Sequence, residues 1–322
     1  KLIYSLGCPP LSQPGGPVTT ETQRFGNSVT GEAVFWSGDI FMTQGTSVLD
    51  PRAAGGKRLQ GKFAVVTGSG QGHGRATARR FVEEGAAVLI VDRHQPGAER
   101  VRDELRAYGG RAEMFIGDIG NPESAKELMA TAKEHFGRID ILVNNVGGAF
   151  KLPESGEMGW EKTPEDLTGN IQNNLFTCLW CCWAVAPIMI EQQAGSIVNF
   201  GSHAVRGMGR LGYAAAKGGV WAITTSLALE LAPYNVRINL VVPHASTRSD
   251  GDTLVTRIPG EVPASSGRLN VSVTGPTLTP IPLNRPGTPE EIAAAVTFLA
   301  SDDASFTTAE TICVGGGAFC RL

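Results

Sequence analysis

The feature that most constrains this chain is an alternation that begins at Lys57. Short apolar runs rich in β-branched residues give way, again and again, to stretches with helical periodicity. The runs are Phe63–Thr67, Ala87–Asp92, Ala112–Ile116, Ile139–Asn144, Ser196–Phe200, Arg237–Val241 and Thr311–Val314. Between them the pattern predicts helices over Arg75–Glu84, Pro96–Tyr108, Pro122–Phe136, a long one around Leu167–Glu191, Tyr213–Leu231 and Pro289–Ala300. Gly85, Gly109-Gly110 and Gly137 stand where helix C-caps are expected. Strands that read as continuous apolar runs are buried on both faces. The pattern therefore calls for an α/β fold: a doubly wound parallel sheet covered by helices on both sides. With 42% hydrophobic and 18% charged residues, the chain has apolar material for a large core and too little charge for disorder.

A net charge of −3 gives no basic excess to neutralise phosphates, so a general nucleic-acid binder is not expected. The chain lacks a run of about 18 apolar residues free of charge, so no membrane span is expected. Residues Lys1 to Gly56 are rich in Gly, Pro, Ser and Thr and have no sustained period. They lack the pattern of a signal peptide and read as a poorly ordered extension ahead of a domain from residue 57 to 322. Of the six cysteines, Cys178, Cys181 and Cys182 share one aromatic-rich apolar run. That spacing suits reduced thiols packed on a buried or interface helix. It suits neither a disulfide framework nor zinc, so no metal is expected and a cytoplasmic location is.

The first strand runs into Thr67-Gly68-Ser69-Gly70-Gln71-Gly72-His73-Gly74 and then a helix. Glycines let a backbone approach a pyrophosphate, and a helix N-terminus offers N–H groups and a positive dipole end. Asp92 ends the second strand, 18 residues past Gly74. Its carboxylate suits ribose hydroxyls and would repel a 2′-phosphate, which favours NAD over NADP; Arg93 beside it softens that repulsion. Asp118-Ile119 after the third strand and Asn144-Asn145-Val146-Gly147 after the fourth complete a row at successive strand ends, where such sheets bind ligands.

Tyr213 and Lys217 stand four apart on one predicted helix face. A phenol has a pKa near ~10, and a neighbouring ammonium favours its phenolate, which can take a proton from an alcohol while hydride leaves its carbon. Ser202, just past a strand, can bond the reacting oxygen. Asn174, in the long helix, is expected to hold a water linking Lys217 to solvent.

With these motifs together, the chain from Lys57 to Gly317 resembles the short-chain dehydrogenase/reductase family. The resemblance implies one Rossmann domain with a seven-stranded parallel sheet, homodimers or homotetramers, and Asn174, Ser202, Tyr213 and Lys217 as the catalytic tetrad. More narrowly, Gly137 to Gly148, Leu179-Trp180-Cys181-Cys182, Gly209 to Val220, Arg257-Ile258-Pro259 and Gly287 to Glu291 look like the cis-diol carboxylate dehydrogenases of benzoate and toluate degradation. That group oxidises 1,6-dihydroxycyclohexa-2,4-diene-1-carboxylate with NAD to a catechol and carbon dioxide. Such an acid calls for a cation, and Arg206, Arg210, Arg248 and Arg257 are candidates, with Arg206 and Arg210 bracketed by Ser202 and Tyr213.

The family usually carries Pro-Gly after the sixth strand, then a Thr that touches the nicotinamide amide. Here the run is Pro243-His244-Ala245-Ser246-Thr247, so His244 stands for Gly, and Ser246 and Thr247 are both candidates for that contact. Residues Ser249 to Leu283 read as a substrate lid. Other readings are a ketone or 3-oxoacyl reductase of the same family and a dinucleotide-sensing protein without turnover. A complete tetrad favours the enzyme.

Overall fold

The chain is described as a computed structural model, which covers residues 57–148, 157–244, 246 and 281–318. Strand β1 (Phe63–Thr67) is followed by α1 (Gly72–Glu83), β2 (Ala87–Asp92), α2 (Gln95–Ala107), β3 (Ala112–Ile116), α3 (Pro122–Phe136) and β4 (Ile141–Asn144). Then come α4 (Pro164–Ile171), α5 (Thr177–Gln192), β5 (Gly195–Phe200), α6 (Leu211–Leu231), β6 (Val236–Pro243), α7 (Pro289–Ala300) and β7 (Thr311–Val314). The strands form one seven-stranded sheet in the order β3-β2-β1-β4-β5-β6-β7, parallel at every pairing. The predicted doubly wound fold is therefore the observed one.

Alternate residues of each strand feed two cores. Val66, Val88, Ile90, Ile141, Val143 and Val198 point to the side covered by α1, α2 and α7, where Phe81, Leu105, Val296 and Leu299 meet them. Val65, Leu89, Leu142, Ile197, Ile238 and Leu240 point to the side covered by α3, α5 and α6. Each fully buried Leu, Ile or Phe contributes about 1.5–3 kcal/mol, so both layers are needed to hold the central strands. The order reverses between β1 and β4, and at such a switch point the loops leave in opposite directions and open a crevice at the strand C-termini.

Most predicted boundaries agree to within a few residues, and the long helix does not. Thr163 caps the Asp166 amide and Pro164 takes the first helical position, so helix begins earlier than the apolar period suggests. A π-turn over Gln172–Phe176 then separates α4 from α5. By length and composition Pro164–Gln192 is long and apolar enough to cross a membrane, contrary to the sequence expectation. Here Cys178, Cys181, Cys182, Val185 and Met189 of this span are buried in the core beneath the sheet. Those three cysteines are free thiols, and burial pushes the Cys181 thiol well up, which suits packing more than reactivity.

Candidate active site

The glycine turn after β1 is built by close approach. A Cβ on Gly74 would stand 2.2 Å from the Gly68 carbonyl oxygen and 2.6 Å from Asn145 Nδ2, so only glycine lets the start of α1 press on the turn. Gly68 and Gly72 have φ of +64° and +55°, and nothing lies within 4 Å of where a Cβ on Gly72 would be. A positive dipole end, tight glycines and an open side make a cradle that fits a pyrophosphate. Ser69 is spent on the scaffold: its Oγ donates to the Val66 carbonyl at 2.7 Å and accepts the Val91 amide at 3.1 Å. Gln71 is half-buried and makes no capping bond.

Asp92 sits against this turn. Its Oδ2 accepts the Gly70 amide and its Oδ1 the His94 amide, each at 2.9 Å. The two bonds fix the carboxylate and leave lone pairs for ribose hydroxyls. Arg93 is exposed beside it, and Arg100 Nη2 donates to the Gly70 carbonyl at 3.3 Å. Asp118 is exposed and accepts the Gly120 amide, whereas Ile119 is buried in the core, so of this pair only Asp118 presents its side chain to solvent.

The two asparagines after β4 part company. Asn145 Nδ2 donates to the carbonyls of Thr67 and Gly68, both at 2.9 Å, which joins the β4 loop to the glycine turn. Val146 follows it, its amide donating to Thr67 Oγ1. Asn144 turns inward, where its Nδ2 donates to Asn199 Oδ1 at 2.9 Å and meets Cys182 Sγ at 3.2 Å. Its side chain braces β4 to β5 and α5, not the crevice as expected from sequence.

Two of the four predicted catalytic residues, Asn174 and Lys217, meet at Gly147. A Cβ there would lie 2.8 Å from both Asn174 Oδ1 and Lys217 Nζ. Asn174 is fully buried on the π-turn, a device often found at functional sites. Its Oδ1 accepts the Gly148 amide at 2.8 Å, and its Nδ2 donates to the carbonyls of Gly148 at 2.9 Å and Asn170 at 3.0 Å. The amide is thus bonded to backbone, and it shapes the loop after β4. Lys217 is buried and its Nζ donates to the Phe200 carbonyl at 2.8 Å. Tyr213, half-buried, lies one turn earlier on α6. Ser202 is buried at the end of β5, where its Oγ accepts the Ala204 amide at 3.1 Å and keeps its own hydrogen to donate.

Arg206 is exposed and Arg210 half-buried at the start of α6. Thr247, Arg248 and Arg257, and most of the predicted lid, lie outside the described residues. Ser246 is described: its Oγ lies 2.7 Å from His73 Nε2, tying the glycine turn to the segment after β6. His73 also lies against Phe200, and burial pushes its pKa down. Sequence reasoning flagged His244 only as a departure and overlooked His203. Their rings lie 3.8 Å apart between the ends of β5 and β6. Among the described residues no cluster of three or more His, Cys, Asp or Glu could hold a metal.

Residues 62–253 match the family described as short chain dehydrogenase. The chain is 38% identical over 268 residues, 81% of its length, to a 1,6-dihydroxycyclohexa-2,4-diene-1-carboxylate dehydrogenase of Pseudomonas putida, 94% of which is covered. A protein of the same name from Acinetobacter baylyi is 36% identical over 81% of this chain and 97% of its own. Among solved structures, a 7α-hydroxysteroid dehydrogenase complexed with NADH and 7-oxo glycochenodeoxycholic acid superposes with a TM-score of 0.69. It is 29% identical and covers 82% of this chain and 97% of its own.

Proposed function

This chain belongs to the short-chain dehydrogenase family, and from that membership we propose that it oxidises a cyclic cis-diol carboxylate with NAD, giving a catechol and carbon dioxide. It is an oxidoreductase that works with a nicotinamide dinucleotide. The observation that carries the substrate is the likeness, at 36% and 38% identity, to two dehydrogenases named for 1,6-dihydroxycyclohexa-2,4-diene-1-carboxylate.

When bound, the nicotinamide supplies the acceptor for the hydride lost from the alcohol carbon. Tyr213 Oη takes the alcohol proton. An ordinary phenol is a weak base at neutral pH, and the Lys217 charge one turn along α6 favours the phenolate. Ser202 Oγ donates its hydrogen to the alcohol oxygen. Lys217 is held by the Phe200 carbonyl, which aims an ammonium with three donors toward the Tyr213 side of α6 and the ribose. Asn174 keeps the Gly147–Gly148 backbone folded over this group. Oxidation at the alcohol carbon beside the carboxylate-bearing carbon yields a β-keto acid, which loses carbon dioxide readily, so the protein has to supply oxidation and orientation.

Gly68, Gly70, Gly72, Gly74, Asp92, Asn145 and Val146 are the residues we assign to the dinucleotide, with Asp92 favouring NAD. Free buried thiols support a reducing, cytoplasmic setting. Exposed Trp183, Trp221 and Leu229 on α5 and α6 support a homo-oligomer. The test is NADH or NADPH production on a panel of cis-diol acids, neutral cis-diols, secondary alcohols and 3-oxoacyl esters. The diol acid with NAD should give the highest kcat/KM; a 3-oxoacyl ester with NADPH in first place would replace this reading with a reductase.

A further inference from the structure

The end of β6 holds a side chain that the chemistry above does not use. His244 is 8% exposed, and neither Nδ1 nor Nε2 of its ring has a hydrogen-bond partner among the described residues. Buried polar groups are nearly always bonded, and an imidazole has a donor and an acceptor, or two donors, to satisfy. Its ring is stacked on that of His203 at 3.8 Å, tilted by 31°. His203 is the residue after Ser202, and its Nδ1 lies 3.4 Å from the Pro243 carbonyl oxygen. Strands β5 and β6 pair in register up to Phe200 and Val241, so both histidines leave adjacent strand ends on the side where Ser202 stands.

The charge around the pair is one-sided. Burial first, then the neighbouring His244, and also the Arg210 guanidinium hold His203 down at about 4, and burial lowers His244. Among the described residues no carboxylate contributes to either shift. A second positive charge is unwelcome here without a counter-ion, and a carboxylate would supply the missing partner and the missing charge together.

We propose that His244, with His203 stacked on it, holds the carboxylate of the substrate beside Ser202, and that Arg210 adds charge from the start of α6. This rests on the reading of the substrate as a cyclic diol acid and names the groups that recognise the acid. Arg206, exposed on the same segment, is then not the principal cation. Recognition at this point suits an acid whose carboxylate sits on the carbon next to the alcohol carbon, because His203 directly follows Ser202 and His244 packs against His203.

The experiment compares kcat and KM, with NAD saturating, for cis-1,6-dihydroxycyclohexa-2,4-diene-1-carboxylate and for the neutral cis-diol that lacks the carboxylate. It uses the wild type, His244→Gly, His244→Asn and His203→Gln, with NADH affinity measured by fluorescence and folding by thermal unfolding. His244→Gly should lose about 10- to 150-fold in kcat/KM for the acid, chiefly through KM, and change little for the neutral diol. His203→Gln should lose less, in the same direction. NADH affinity should hold. Equal losses on acid and neutral diol overturn the proposal, and so does weakened NADH binding, which would assign the pair to the cofactor. If His244→Gly does not fold, His244→Asn and His203→Gln decide on the same criterion. A wild type that oxidises the neutral diol and is neither supplied nor inhibited by the acid overturns the substrate reading along with this one. A wild type that oxidises the acid, with variants that keep the wild-type ratio, overturns the histidine assignment alone.

Discussion

Gly147 shows how much one missing methyl group can decide. Its Cα faces Asn174 Oδ1 and Lys217 Nζ so closely that any side chain would force one of them away. Lys217 has little room to retreat, since it is buried and tied to the Phe200 carbonyl. Gly147→Ala should therefore lower kcat by about tenfold or more, equivalent to ~1.4 kcal/mol at the transition state. Overpacking should also cost about 1–3 kcal/mol of stability. Steady-state rates with thermal unfolding check both, and a variant with wild-type kcat would show that Lys217 does not need its observed position. At this scale the sequence was only partly legible. Asn144 and Asn145 are adjacent and chemically identical, yet strand alternation turns one into the core and the other to the glycine turn. A doublet alone does not reveal which is which. The His203–His244 stack joins residues 41 positions apart, and only the pairing of β5 with β6 brings them together.

Elements explain what the periodicity could and could not announce. The inner strands β1, β2, β4, β5 and β6 were legible because each is a short apolar run buried on both faces, which is what a central parallel strand demands. The span from residue 164 to 192 was legible as helix but not as two helices. A π-turn adds one residue to a turn without altering composition, so no apolar period reports it, although it is what places Asn174 over Gly147. The outer faces of α5 and α6 carry a further consequence. Trp221 and Leu229 lie exposed on α6, and on α5 the exposed Trp183 meets the ring of Trp180 edge-on and lies 4.8 Å from Lys126 Nζ. Large exposed apolar residues on neighbouring helices suit a second copy of the chain. We propose such a homo-oligomer, and replacing Trp221 and Leu229 together by Glu should then leave a monomer. Light scattering at micromolar concentration reads this, and a wild-type monomer would remove the proposal.

For the molecule as a whole, the switch point between β1 and β4 gathers the glycine turn, Asp92, Asn145, Gly147, Ser202 and Lys217 at one edge of the sheet. The sequence made this legible because the ends of β1, β2, β4 and β5 are each followed by, or end on, one of these residues. Residues 249–283, read from the sequence as a substrate lid, form no period, and most of them, Arg257 included, lie outside the described residues. The central claim is that this edge oxidises an alcohol with Tyr213 as the proton acceptor. Single-turnover formation of NADH from the diol acid, compared between wild type and Tyr213→Phe with NADH affinity measured alongside, tests it most directly. The account predicts a rate lower by about 10²- to 10⁴-fold with NADH binding retained. A Tyr213→Phe rate within about threefold of wild type, a difference of well under 1.4 kcal/mol, would contradict it.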